Sequence, residues 1–519
     1  MLGWRMTRGA VLLSMVLAAS ALGQRVRMPR PDAAPTTGPV AADPDHSAHA
    51  ATTPADESKL SVTQHEMTLD GKPFKYRATA GALTMKDESG KAKANIFFVA
   101  YDTEKSDPTT RPAANPRPIT FLFNGGPGAA AIWLHLGAAG PKRVQMDDGS
   151  IPVGPPYKLE DNQSTWLRGT DLVFVDPVST GYSRPAPGED PKQFHGVQED
   201  IESVSEFIRV YITRYRRWGS PIYLAGESYG TTRASALAGF LANRYGIAVN
   251  GITLVSSVLD FKTLETSPSN DLPYEMYLPS YAAVAWYHKK LSAEYQADLQ
   301  KTVDAARKFT TDEYAPALLQ GASVTPEQRT HLIKQLAAFT GLSEDLIDRD
   351  NLRINPGQFE KQLLGDGHKI IGRYDGRMTG WDPEAARGGA GYDPSFTDYL
   401  SAYTACFNQY VRDDLKYESD LPYEALTGKV QPWPEDNLYV IDDLQNALLQ
   451  NPHMRVQFLS GYYDLATPFF SADYTINRMV LSPEVRANIT HLYFPSGHMI
   501  YHNRESSKKM QEAVDKFVQ

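Results

Sequence analysis

The stretch SPIYLAGESYGTT (220–232) leaves this chain few folds to choose from. Residues 221–225 read as a short buried strand, and from 231 onward TTRASALAGFLANRY reads as a helix with small residues in its first turns. A sharp strand-to-helix turn of the form G-x-S-x-G carries the serine hydroxyl at its tip, and glycine on either side avoids clashes that a side chain would cause. Ser228 is thereby a candidate nucleophile. A Gly-rich turn can carry such a pentapeptide by accident, so the rest of the chain has to decide.

The surrounding pattern suits an elbow of this kind. Buried strands are expected at 119–123 (ITFLF), 171–176 (DLVFVD), 222–225 (IYLA), 251–257 (GITLVSS), 455–460 (RVQFLS) and 491–494 (HLYF). Between the second and third, Val197, Ile201, Val204, Ile208, Tyr211 and Tyr215 recur at helical spacing. Glu199, Asp200 and Glu202 stand at the start of that helix and arginines at its end, as the helix dipole favours. Residues 61–85 and 91–103 alternate apolar and polar residues around Asp70-Gly71 and DESG, which predicts antiparallel hairpins. Strand–helix alternation behind hairpins means an α/β fold with a mostly parallel sheet, antiparallel at its start. Residues 261–395 break the alternation with helices and loops and are expected to form a cap inserted over the sheet. Within them GRYDGRMTGWD (372–382) reads as a surface loop rather than a pocket wall.

Composition limits the partners. The chain has 519 residues, 42% hydrophobic and 22% charged, enough for one large domain of about 59–519 carrying an insertion. A net charge of −9 argues against nucleic acid or an anionic membrane surface as partner. The single cysteine, Cys406, rules out an intrachain disulfide and a cysteine-built metal site. At the N-terminus, Arg5 and Arg8 precede an apolar stretch over 10–22 and small residues before Gln24. This is the layout of a secretory signal cleaved after Gly23, and the stretch is shorter than the roughly 20 residues that span a bilayer. Residues 24–58 are rich in Pro, Ala, Thr and Asp and read as a disordered tether, in which His46 and His49 are solvated rather than metal-binding. The expected location is therefore periplasmic or secreted, without stable membrane insertion.

Partners for Ser228 should follow in the order acid, then histidine, each after a later strand. Asp464 stands just past 455–460 in GYYDLATP, and His498 just past 491–494 in PSGHMIYH. A histidine so placed can take the serine proton while the aspartate fixes its tautomer. Asp260 is the alternative acid and His502 the alternative base; a His498/His502 metal pair has no evident third ligand. At the end of the first parallel strand, FLFNGGPGAAAIWLHLGAAGP brings consecutive glycines whose N–H groups can face a developing oxyanion.

Taken with VDPVSTGYSRP (175–185), GESYG (226–230), GYYDLATP (461–468) and SGHM (496–499), NGGPG makes the chain, over about 60–519, resemble the serine carboxypeptidase family of α/β hydrolases, as an exported member of bacterial type. The resemblance implies Ser228 as nucleophile, His498 as base, Asp464 as orienting acid, and the N–H groups of Gly126 and Tyr229 as oxyanion hole. It further implies that Asn124, the Gly125 N–H and a protonated Glu227 hold the terminal carboxylate of a peptide substrate, with no cofactor. A neutral acid can donate a hydrogen bond to that carboxylate, whereas an ionised one would repel it. The sequence departs from the family at Ala138, where a second glutamate usually stands; Lys142 or Arg143 could compensate. Ala129 and Thr467 replace cysteines often found there, in keeping with a chain without disulfides. The expected activity is release of C-terminal residues from peptides. The alternatives are an esterase or acyltransferase with the same residues, then an aminopeptidase, whose glycine loop usually starts with histidine rather than Asn124, and last a non-catalytic binding module.

Overall fold

The computed structural model describes residues 60–103, 116–147, 151–383, 391–431, 433 and 438–519. The expected signal and tether, with His46 and His49, lie outside them. Three strands open the chain, β1 (Ser61–Leu69), β2 (Lys72–Lys86) and β3 (Ala92–Asp102), paired antiparallel in sequence order. Asp70 and Gly71 connect the first two with φ of 51° and 75°. Positive φ at both turn residues matches the twist of the flanking strands, which is why Asp-Gly was a readable hairpin signal.

The chain then lays down β4 (Ile119–Phe123), β5 (Asp171–Val175), β6 (Ile222–Ser228), β7 (Gly251–Ser257), β8 (Arg455–Gly461) and β9 (Ile489–Phe494). The sheet order is β1-β2-β3-β5-β4-β6-β7-β8-β9, with the short strand Arg184–Pro185 pairing β3 off this path. β5 meets β3 antiparallel, and from β5 to β9 every neighbour is parallel. Each of the six strands expected from the sequence is present, but the last is not buried as expected: it forms the sheet edge, with only Phe494 fully enclosed. β6, β8 and β9 run longer than expected and β5 ends one residue early; β6 is longer because GES continues the strand up to the elbow serine.

Both faces of the sheet are covered, so its central strands are buried throughout. On one face α1 (Val197–Arg214) and α2 (Tyr229–Tyr245) pack Ile201, Val204, Ile208, Leu237 and Leu241 against Phe121, Leu224 and Ile252. Between β7 and β8 a largely helical segment includes α3 (Leu272–Tyr287), α4 (Leu299–Phe309) and α5 (Pro326–Thr340). These share a core of Tyr281, Val284, Val303, Leu336 and Phe339, into which Tyr463 and Phe469 from beyond β8 also pack. A later helix of the same segment, α6 (Pro394–Asp413), sends Tyr399, Tyr403 and Phe407 into the core on the other sheet face. There it meets Leu122, Tyr223 and the apolar stripe Met510, Val514 and Phe517 of the closing helix α7 (Arg504–Val518). No helix among the described residues is long and apolar enough to cross a membrane.

Candidate active site

β6 ends on Ser228 and α2 begins at Tyr229. Ser228 holds φ 59° and ψ −131°, a backbone state that costs a non-glycine residue energy and persists only where its surroundings over-determine it. They do so here. A side chain at Gly226 would put its Cβ 2.0 Å from the Gly230 carbonyl oxygen, and one at Gly125 would put it 2.5 Å from the Tyr229 nitrogen and 2.8 Å from the Ser228 Cβ. The glycine loop after β4 thus lies directly against the elbow, and only hydrogen at these positions permits the approach.

Behind the elbow is a buried ion pair that the sequence pattern did not expose. In the sequence, the helix dipole alone accounts for the three acids at the start of α1, yet Asp200 is buried. Its Oδ2 accepts from Arg233 Nε at 2.8 Å and from the Tyr229 hydroxyl at 3.1 Å. Arg233 Nη1 donates to the Asn124 carbonyl oxygen at 2.9 Å. Burial pushes the Asp200 pKa up, against the opposing charge and hydrogen bond of Arg233. One arginine therefore ties together α1, the elbow helix and the end of β4. The sequence signal was there: Arg233 stands alone in the small-residue run TTRASALAG, where a solvated charge has no place.

Asp464 and His498 meet in the turns after β8 and β9. His498 Nδ1 lies 2.8 Å from Asp464 Oδ2. The other carboxylate oxygen, Oδ1, accepts the backbone N–H groups of Ala466 at 2.8 Å and Thr467 at 2.9 Å. The Thr467 hydroxyl adds contacts of 2.8 Å to Asp464 Oδ2 and 3.2 Å to His498 Nδ1. Since an ionised carboxylate only accepts, the imidazole proton sits on Nδ1 and Nε2 remains an acceptor. Burial by itself lowers the His498 pKa; the Asp464 carboxylate outweighs it and holds the imidazole above its ordinary value. The backbone of His498 is clamped too, its N–H donating to the Tyr374 carbonyl at 2.6 Å and its carbonyl accepting from Ser256 Oγ at 2.7 Å.

Asn124, Gly125, Gly126, Glu227, Ser228 and His498 line one cleft of about 330 Å³ counting its open mouth, with Ala129, Trp133, Tyr374, Phe396, Leu426 and Met499 as its remaining walls. Glu227 is 3% exposed, and burial pushes its pKa up to about 7 from an ordinary 4.5, in the face of the nearby His498 charge. Its Oε1 accepts from Asn124 Nδ2 at 2.9 Å, while Asn124 Oδ1 accepts the Leu134 N–H at 3.0 Å, so the amide is held at both ends. The Tyr229 side chain points away to Asp200, which leaves only its backbone N–H beside the glycine loop.

Other expectations fare differently. GRYDGRMTGWD is no surface loop: Tyr374 lines the cleft with its ring edge-on to His498 at 5.1 Å, and Asp375 and Gly376 are buried. Strand–helix patterning could not show this, because the loop acquires its place only when the long segment between β7 and β8 folds back. Asp260 caps the turn Phe261–Thr263 by accepting the Lys262 N–H, and it is not among the residues that line the cleft. His502 is buried with Nε2 2.9 Å from the Tyr403 hydroxyl, and burial with the charges of Arg143 and Arg377 drives its pKa well down, so it is neutral and enclosed. Lys142 pairs with Asp161 at 2.6 Å, and Arg143 donates to the Tyr501 carbonyl at 3.2 Å; neither lines the cleft. No group of three metal-ligating side chains occurs among the described residues.

A parallel sheet with antiparallel leading strands, covered by helices and ending its central strand on a serine elbow, is the α/β-hydrolase fold. The family described as serine carboxypeptidase matches residues 70–511, and the chain belongs to it. The protein is similar to serine carboxypeptidase-like 34 of Arabidopsis thaliana, 28% identical over 258 residues that cover 47% of this chain and 45% of that one. It is also similar to the pheromone-processing carboxypeptidase KEX1 of Clavispora lusitaniae, 34% identical over 155 residues, or 29% of this chain and 20% of that one. The match thus spans less than half the length of these plant and yeast relatives, which carry no bacterial-type assignment. Among solved structures, the prohormone-processing carboxypeptidase KEX1 of Saccharomyces cerevisiae is similar in fold at a TM-score of 0.50, with 17% identity, over 85% of this chain and 91% of that one.

Proposed function

We propose that the protein is a serine-type carboxypeptidase that removes C-terminal residues from peptides through an acyl-enzyme. Ser228 Oγ attacks the scissile carbonyl carbon while His498 Nε2 takes its proton, and the Gly126 and Tyr229 N–H groups receive the developing oxyanion. Collapse of this intermediate breaks the C–N bond, and His498 passes the proton to the departing amino acid. Water, deprotonated by His498, then attacks the acyl ester and frees Ser228. Asp464 keeps the imidazole proton on Nδ1 throughout. The reading rests above all on Glu227: a buried acid that stays neutral up to about pH 7, tied to Asn124 and adjoining the nucleophile, suits capture of a free carboxylate beside the scissile bond.

The pH dependence tests this. Peptide capture needs Glu227 protonated, so kcat/KM for a peptide should fall as pH rises through about 7. Catalysis needs His498 neutral, and because its pKa is raised, activity should also fall on the acid side; the two demands leave a bell. A simple ester without a carboxylate should show the acid limb alone. In Glu227→Gln, whose amide donates at any pH, the alkaline limb for peptide should flatten with ester turnover little changed. An unaltered peptide profile in that variant means Glu227 does not read the C-terminus.

With Ala138 buried in the turn Leu134–Ala139, Glu227 is the acid of the cleft, and this observation favours an esterase or acyltransferase as the second reading. We place the enzyme in the bacterial cell envelope, exported by residues 1–23, with 24–58 dispensable. N-terminal sequencing of the exported protein should begin near Gln24, and a form starting at Lys59 should retain full activity; an uncleaved membrane-bound product or an inactive truncation contradicts this placement.

A further inference from the structure

Glu227 Oε2 in the cleft wall and Tyr501 Oη behind it are both buried without a hydrogen-bond partner, as is His502 Nδ1 beside Tyr501. Because Glu227 Oε1 already accepts from Asn124, the proton of the neutral acid belongs on Oε2. The Tyr501 hydroxyl and this carboxyl influence each other's ionisation, although neither buried atom has a hydrogen-bond partner. Tyr501 is completely buried, in the turn Ile500–His502 that follows His498. Its ring lies against Gly137, where a Cβ would come 2.4 Å from the ring carbon Cε2, so it packs on the very turn that carries Ala138. Arg143, from the strand beyond that turn, holds the Tyr501 carbonyl. The remaining groups that act on or feel the Glu227 charge are His498 and Asp464 from the turns after β9 and β8, Tyr374 from the 372–382 loop, and Tyr403 from α6.

We propose that Tyr501 is a positioning residue for Glu227, its hydroxyl serving beside Ala138 as the second donor that aligns the Oε2 proton on the terminal carboxylate of the peptide. This rests on the reading of Glu227 given above. With substrate bound, Tyr501 O–H donates to Glu227 Oε2 while Oε2–H donates to the substrate carboxylate, a chain in which each bond polarises the next. A phenol remains neutral through the working range, burial holding the Tyr501 pKa far above it. It thus performs this task without the second titration that a second carboxyl would add. When Glu227 ionises, the same hydroxyl turns to the anion and favours it, which limits how high its pKa can climb.

Tyr501→Phe separates these effects. The hydroxyl it removes has no well-directed partner, so thermal stability should not fall. Peptide KM below the alkaline limb should rise about fivefold with kcat nearly constant, as for loss of one hydrogen bond to a bound group. The alkaline limb of peptide kcat/KM should move up by about half to one pH unit, since a donor to the ionised acid is gone. Ester hydrolysis should change in neither respect. In a Glu227→Gln background the same substitution should leave the flattened peptide profile flat. If Glu227→Gln abolishes the limb but Tyr501→Phe leaves both limb and KM in place, or shifts ester and peptide alike, the role of Tyr501 is refuted on its own. If Glu227→Gln leaves the limb intact, the reading of Glu227 falls and this proposal with it.

Discussion

Replacing Ser228 with alanine should lower peptide turnover on the order of 10⁵- to 10⁶-fold and abolish labelling by a fluorophosphonate probe. His498→Ala should cost nearly as much, because nucleophile and base act as a unit, and Asp464→Ala on the order of 10⁴-fold. The unequal costs follow from the geometry. Asp464 does not touch the reacting atoms: its Oδ2 lies 2.8 Å from His498 Nδ1 and holds the proton there, and the Thr467 hydroxyl, 3.2 Å from the same nitrogen, retains part of that restraint when the carboxylate is gone. Combining the substitutions should add little to the Ser228 loss. Labelling that survives Ser228→Ala would falsify the assignment of the nucleophile, whatever becomes of the activity.

The second large effect is on stability. Removing one member of a buried ion pair leaves the other uncompensated and costs about 3–5 kcal/mol. Arg233 and Asp200 are 1% and 2% exposed, so either Arg233→Met or Asp200→Leu should lower the free energy of unfolding by about this amount in denaturant titrations. The double variant should lose less than the sum of the two, since no lone charge remains. Arg233→Met should carry an additional loss of activity that Asp200→Leu does not fully share, because Arg233 also donates to the Asn124 carbonyl and so fixes the glycine loop against the elbow. Single variants as stable as the parent would mean that water reaches the pair and that the network behind the elbow is not what holds it.

What could be read from the sequence, and what could not, divides along the range of the interactions. ITFLF and GITLVSS carry their own strand pattern, and both strands fall on those bounds. Asp70-Gly71 states its turn through local backbone preference, and the helix ridge from Val197 to Tyr211 through its period. The elbow was legible for the same reason, since G-x-S-x-G is a local steric demand. Asp464 and His498 were placed by the order of strand ends, and the fold sets them 2.8 Å apart. The partner of Arg233 and the place of Tyr501 were not legible. Asp200 bonds to an arginine one strand and one turn further along the chain, and Glu227 bears on the ionisation of Tyr501 only because β6 and the turn after β9 converge. The acids of α1 also misled in one respect: the dipole argument explains a charge at a helix start equally well whether it is solvated or, like Asp200, enclosed. Tyr374 is the extreme case, a wall of the cleft supplied by a loop that sequence punctuation marks as surface.

On the proposed function, this cleft hydrolyses the last peptide bond of a chain with a free C-terminus. Digestion of a mixed peptide library by the purified protein, followed by mass spectrometry of the shortened products, tests it most directly. Ladders that lose single residues from the C-terminal end are expected, with peptides carrying an amidated C-terminus left intact and no ladder with Ser228→Ala. Peptides shortened from the N-terminus, amidated peptides cut as fast as free ones, or esters cleaved while every peptide survives would contradict it.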